Sequence, residues 1–171
     1  NARKLVLALK HGDRLDLARP AGGWLHRAAR PLLRDGMLIV PVPLHAWRGM
    51  VRGFNQADVI AKRLGMGANR PVVRAIARIR ATHPQTTLQK PGRRLANVRG
   101  AFALTDPAAI QGKRVIVVDD VMTTGATLRE VGRMLKIARP AALTAIVVAV
   151  ADRRGHGFDR ALVRGGKVKA M

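Results

Sequence analysis

Cysteine is absent from the chain, so neither a disulfide nor a thiolate-bound metal can form within it, and a reducing cytoplasm fits. Tyrosine is also missing, and aromatics reach only 3%, leaving few platforms on which nucleobases could stack. Acids are scarce as well. Ten Asp plus Glu face 32 Lys plus Arg, a formal net charge of +22. That imbalance favours anionic partners, either phosphate-rich small molecules or nucleic acid, although arginine-rich surfaces can also be merely solvated. The longest apolar run, residues 143–151, is strand-sized, so no membrane span is expected, since a bilayer crossing takes roughly 20 residues. No basic-then-apolar signal peptide opens the chain. It starts at Asn1 in what reads as a helix interior, as a fragment or processed form would.

What is present suffices for one domain. A hydrophobic content of 48% over 171 residues can bury a single substantial core. Residues 2–10 read as a helix end stopped at Gly12. Ala21, Trp24 or Leu25, Ala28 and Leu32 recur at helical spacing, with Arg27 and Arg30 opposite and Gly22 and Gly23 interrupting. MLIVPVP (37–43) predicts a buried strand ended by prolines. Asn55, with Asp58 three residues on, caps a helix whose apolar face is Ala57, Ile60, Ala61 and Leu64. Strands are expected in PVVRAI (71–76), GAFAL (100–104), residues 114–118 and ALTAIVVAVA (142–151). Leu128, Val131, Leu135 and Ala138 mark one helix face, with Arg129, Glu130, Arg133 and Lys136 opposite. Continuous apolar strands alternating with helices predict an α/β fold, an open and mainly parallel sheet flanked by helices. The chain divides into three parts: an N-terminal helical segment over 1–36, a core over 37–150, and a glycine-rich basic tail over 151–171.

The chemistry concentrates in VIVVDDVMTTGATLRE (115–130). Open α/β sheets bind ligands outside the carboxyl ends of their strands, where Asp119 and Asp120 fall. The turn Thr123–Thr127 then leads into a helix start, whose N–H groups and dipole attract an anion. Gly125 lets the backbone come close, and the threonine hydroxyls can donate to phosphate oxygens. The acids suit sugar hydroxyls or a hydrated cation. A phosphorylated sugar presents both needs on one molecule. Ordinary strand-end acids followed by a helix cap are the plain alternative, but five consecutive small or hydroxyl residues exceed what a cap needs. A Walker-type triphosphatase lacks its G-x-x-x-x-G-K-[ST] loop here. A phosphoreceiver would need more strand–helix units, at roughly thirty residues each, than the C-terminal remainder holds.

VIVVDDVMTTGAT (115–127) resembles, at every position, the signature of the type I phosphoribosyltransferases, which bind 5-phosphoribosyl-1-pyrophosphate (PRPP). VPVPLHAWRGMVRGFNQADVIAKRL (40–64) and ATHPQTTLQKPGRRLANVRGAF (81–102) narrow the likeness to the ComF, competence-protein-F-like, family linked to DNA uptake. The likeness covers about residues 5–149. It implies that Asp119 and Asp120 hold the ribose hydroxyls, and that the loop formed by Thr123, Thr124, Gly125, Ala126 and Thr127, after Val121 and Met122, holds the 5-phosphate. It also implies that Arg48 and Arg52, in a loop over 43–52, face pyrophosphate. A mobile flap over 78–99 would contain Thr82, Gln85, Arg94 and Asn97.

Departure of pyrophosphate makes the anomeric carbon cation-like, so catalysis needs charge neutralisation by Mg2+ bound with PRPP and by arginines (Arg48, Arg52 and Arg94 the candidates), together with exclusion of water. No protein metal site is expected, because His11, His26, His45, His83 and His156 show no ligand spacing. Trp24 and Trp47 are expected to pack, Trp47 alternatively stacking a base. Family members commonly carry an N-terminal cysteine-rich zinc ribbon; no cysteine remains here, so it was either removed or never part of this chain. Two functions remain open. One is transfer of phosphoribose to a nitrogen acceptor. The other is a non-catalytic PRPP- or nucleotide-binding protein that binds single-stranded DNA and meets DNA-uptake machinery through its basic surface. A homo-oligomer is compatible with both.

Overall fold

The computed structural model describes residues 23–33, 35–44, 54–80, 98–150, 161–164 and 167–170. Its centre is β4 (Arg114–Met122), which pairs in parallel with β1 (Met37–Pro41) on one side and β5 (Ala142–Val150) on the other. A strand paired on both sides and covered on both faces needs apolar side chains at consecutive positions. Val115, Ile116, Val117 and Val118 supply them, at 0–2% exposure.

Their side chains alternate between two cores. Val115 and Val117 join α4 (Ala126–Leu135) through Leu128, Val131 and Leu135, together with Ile76, Phe102 and Ile110. Ile116 and Val118 meet α2 (Gln56–Ala68) through Ile60, Ala61 and Leu64, backed by Leu25 and Ala29 of α1, the helical residues 23–29. Helices therefore cover both faces of the sheet, the expected α/β layering.

Helix α2 starts where the sequence places it. Asn55 holds an extended backbone (φ −105°, ψ 115°), and its side chain accepts from Ala57 N at 3.1 Å. The same side chain donates to Val42 O at 2.9 Å, tying the helix start to the exit of β1. Asp58 is not part of the cap. It is bonded by Arg74 at 2.9 and 2.8 Å and paired with Lys62 at 3.0 Å. Gly65 permits the helix to cross residues 70–72 closely, since a Cβ there would sit 2.8 Å from both Arg70 O and Val72 Cγ2.

Four expectations are corrected. The segment 71–76 yields a single parallel bridge, Ile39 to Val72, and the strand proper is β2 (Ile76–Arg78). β2 pairs antiparallel with β3 (Phe102–Leu104) in a separate small sheet, which brackets the segment expected as a flap. Residues 151–171, expected as a tail, contribute β6 (Ala161–Arg164) and β7 (Lys167–Ala170), which extend the main sheet antiparallel in the order β1-β4-β5-β6-β7. Trp24 and Ala28 are exposed, so α1 packs through Leu25, the other of the two expected positions, and through Ala29 in place of Ala28. The short helix α3 (Pro107–Ile110), capped by Asp106 accepting from Ala109 N at 3.0 Å, feeds β4.

Truncating Ile116 to alanine at the centre of β4 should cost about 2–4 kcal/mol in urea unfolding. Truncating the exposed Ile137 should change stability by no more than about 0.5 kcal/mol.

Candidate functional site

β4 runs through Asp119 and Asp120 and ends at Met122, so the acids occupy the last part of the strand rather than the loop after it. Each carboxylate folds back on the chain. Asp119 Oδ1 accepts from Asp120 N at 3.0 Å, and Asp120 Oδ1 accepts from Val121 N at 2.6 Å. Burial and the neighbouring Asp120 carboxylate push the Asp119 carboxyl well above the usual carboxylate range, and Arg78 pulls weakly the other way. The site thus holds a desolvated acid whose charged form lacks full compensation within the protein.

Residues 123–125 bend between strand and helix. Gly125 is the N-cap of α4 at φ 70°, a conformation that favours glycine, and no side chain caps the helix through it. Thr124 Oγ1 accepts from Ala126 N at 3.4 Å, a bond internal to the turn. The first turn of an α-helix presents N–H groups without intrahelical acceptors, and α4 begins at Ala126, four residues after β4 ends at Met122. Asp119, Val121, Met122, Thr123, Gly125, Ala126, Thr127 and Leu128 line one small cavity of ≈20 Å³. Seven of the nine sequence-nominated positions in 119–127 therefore share a wall. Asp120 and Thr124 stand outside that lining, both half-buried. Arg48, Arg52, Thr82, Gln85, Arg94, Asn97, His45 and Trp47 lie outside the described residues.

Two residues near the site were not nominated as functional. Arg78, expected only as the first residue of the flap, lies on β2 with its guanidinium carbon 5.4 Å from the centre of the Phe102 ring, and its charge reaches Asp119. Glu130, expected on the polar face of α4, is 3% exposed. It accepts from Gly100 N at 2.8 Å and from Arg133 at 2.7 and 3.0 Å. The Arg133 hydrogen bonds hold its carboxyl below the usual range, with Gly100 N–H assisting against burial. The signal in the sequence was the i,i+3 spacing of Glu130 and Arg133. Through Glu130 the helix that starts at the acid-and-threonine turn is tied to the C-terminal foot of segment 81–97.

A carboxylate at a strand exit, beside a glycine-led helix start, on a parallel sheet, can hold a polyhydroxylated phosphate ester. Residues 50–168 match the phosphoribosyl transferase domain family. The chain belongs to that family. Among its curated relatives, competence protein F of Haemophilus influenzae is 33% identical over 139 residues, covering 77% of this chain and 60% of that protein. DNA utilization protein YhgH of Escherichia coli K12 is 39% identical over 98 residues, covering 57% of this chain and 42% of that one. Competence protein ComFC of Bacillus subtilis is 33% identical over 98 residues, covering 57% and 38%. The phosphoribosyl transferase domain described here is thus a competence-protein-F-like member, and it spans about 60% or less of the length of these relatives. Among solved structures, the glutamine PRPP amidotransferase from B. subtilis, complexed with ADP and GMP, aligns over 84% of this chain and 30% of its own. Its TM-score is 0.58 at 16% identity, which establishes the shared fold. None of the helices among the described residues is long and apolar enough to cross a membrane.

Replacing Glu130 with alanine should cost about 1–2 kcal/mol at neutral pH, because the Gly100 N–H loses its acceptor while the exposed Arg133 returns to water. A depressed carboxyl stabilises the fold fully above the ordinary glutamate value of about 4.3, and that contribution is lost as pH falls through the lower folded value. Glu130→Gln keeps an acceptor for Gly100 and should remove this acid-side loss, as urea unfolding across pH 3–6 (roughly the window set by these values) would show.

Proposed function

We propose that the protein binds PRPP or a phosphoribosyl nucleotide through residues 119–127, with Asp119 and Asp120 toward the ribose hydroxyls and Thr123–Thr127 plus the first turn of α4 around the 5-phosphate. The observation that carries this reading is the shared wall of Asp119, Thr123, Gly125, Ala126 and Thr127 at the exit of β4. At ≈20 Å³ the cavity has room for little more than one water-sized group, so the ligand would sit over its mouth. Family membership supports the ligand class.

In the catalytic form of this reading, the bond between the anomeric carbon and pyrophosphate breaks and a bond to an acceptor nitrogen forms, the nitrogen giving up a proton. Arg48, Arg52 and Arg94 would neutralise the departing pyrophosphate, and Thr82, Gln85 and Asn97 would help to exclude water. Arg78 joins them as a cation close to Asp119. No three metal-ligating side chains converge among the described residues, and two adjacent carboxylates suit outer contacts to a hydrated ion. That donor set fits Mg2+ that arrives on pyrophosphate, where it supplies neutralising charge. A cytoplasmic location goes with this reading as part of the proposal.

The second reading, a non-catalytic accessory protein that binds single-stranded DNA and DNA-uptake machinery, is favoured by the net charge of +22 and by the names of the relatives. Labelled PRPP offered with Mg2+ and a panel of nitrogen acceptors separates the two. Release of pyrophosphate coupled to a labelled product supports the transferase. Tight PRPP binding without turnover supports the accessory protein, and absence of PRPP binding overturns the site.

Asp119→Asn is the sharpest variant. Removing an acid that ionises at a cost should raise the thermal midpoint at pH values above the one at which Asp119 loses its proton. The same change should weaken PRPP, read by titration calorimetry, about tenfold or more. Because the raised acid holds a proton in the folded state that the unfolded chain releases, wild-type stability should rise as pH falls through the raised value towards the ordinary aspartate range. Asp119→Asn should lack that slope. A variant that loses stability while keeping PRPP affinity would place the ligand elsewhere.

A further inference from the structure

A second cavity lies away from the one at β4. It is an open cleft of ≈710 Å³ between the start of α1 and the C-terminal half of α2, lined by Trp24, His26, Arg27, Arg63, Met66 and Gly67. Asn55 ties the start of α2 to the exit of β1, and Gly67 lies twelve residues further on, at the opposite end of the helix, ~18 Å along its axis. The cleft therefore lies toward the amino-terminal edge of the parallel strands, away from Asp119.

Its chemistry is unusual for this surface. The Trp24 indole is 46% exposed and Met66 72%, in a chain with only two tryptophans. Other cations of α2 and the segment after it are committed: Arg70 to Asp35, and Lys62 and Arg74 to Asp58. Arg27 and Arg63 are exposed and make no ion pair or hydrogen bond with any described residue. No carboxylate lines the cleft. Gly67 shapes one wall, since a Cβ there would come within 2.8 Å of His26 Nδ1, so glycine lets the imidazole lie flat against the helix.

We infer that this cleft is a docking site for single-stranded nucleic acid, with Trp24 stacking an unpaired base, Met66 underneath, and Arg27 and Arg63 on the flanking phosphates. An aromatic face between uncommitted cations is the arrangement by which proteins hold single strands without reading sequence. A duplex hides its base faces, and an acidic peptide would use the arginines but leave the indole idle. The charge of +22 supplies the long-range attraction. This inference rests on the accessory, DNA-binding reading and gives it an address separate from the phosphoribosyl site.

The test uses the whole chain in a Trp47→Phe background, so that indole fluorescence reports Trp24 alone. Oligo(dT) is titrated at several salt concentrations against this protein, Trp24→Ala (by anisotropy), and the double variant Arg27→Gln/Arg63→Gln. Trp24, Arg27 and Arg63 are exposed in the described cleft, and unfolding midpoints verify the fold of each variant, the Trp47→Phe parent included. Expected are quenching of the indole, affinity about tenfold weaker for Trp24→Ala, and a salt slope shallower by about 1.4 for the double variant. If oligo(dT) binds the variants as tightly as the parent, the cleft is not the site, while the DNA-binding reading stands. If the parent binds no oligo(dT) even at low salt, that reading falls and the cleft assignment with it. Equal or tighter binding of duplex DNA or poly-glutamate, with the indole unquenched, overturns single-stranded nucleic acid as the occupant.

Discussion

The structure depends on β4 being buried from both sides and on both faces. Hydrogen bonding to β1 and β5 fixes its position in the sheet, and two separate cores clasp its alternate side chains. A strand held in this way ends at a defined place and angle. The bend at 123–125 and the start of α4 inherit that placement. Each core packs helices against the strand, so the acid-bearing end of β4 is carried on an element restrained from every side.

That restraint has an energetic consequence at Asp119. Past the core positions Val115 to Val118 the strand runs into a half-buried carboxylate, where partial desolvation opposes ionisation. Asp120 adds repulsion, and Arg78 offsets part of it. A group held at a cost in the free protein can gain when a ligand brings hydroxyl donors and compensating cations, which is how functional sites commonly trade stability for affinity. Glu130 shows the opposite arrangement one turn into α4. There burial is matched by Arg133 and Gly100, and the carboxylate is a structural tie between the helix and the foot of segment 81–97.

The sequence made the elements around β4 legible because their signals were local. Asn55 caps α2 by its own side chain, Leu128, Val131 and Leu135 face the core at helical period, and the run at 115–118 is apolar at every position because both faces are covered. The acid-and-threonine turn was legible for the same reason. Where residues had to be judged against a distant partner, local pattern failed. Glu130 reads as surface until Gly100, thirty residues away, supplies a donor. Arg78 reads as flap until Phe102 gives it a ring to lie over. Trp24 reads as core, yet the neighbouring Leu25 and Ala29 fill the space under α1.

By itself, then, the amino-acid order determined an α/β chain with a phosphoribosyl-transferase signature, since hydrophobic period, caps and a contiguous motif are encoded within a few residues of one another. Only the tertiary structure decided that the acids lie inside the strand, that residues 161–170 extend the sheet by two antiparallel strands, and that two arginines and an indole share a cleft at the far end of α2. Those facts depend on which segments meet across the sheet. Burial, pairing and loss of charge compensation are properties of such meetings, and no single stretch of sequence carries them.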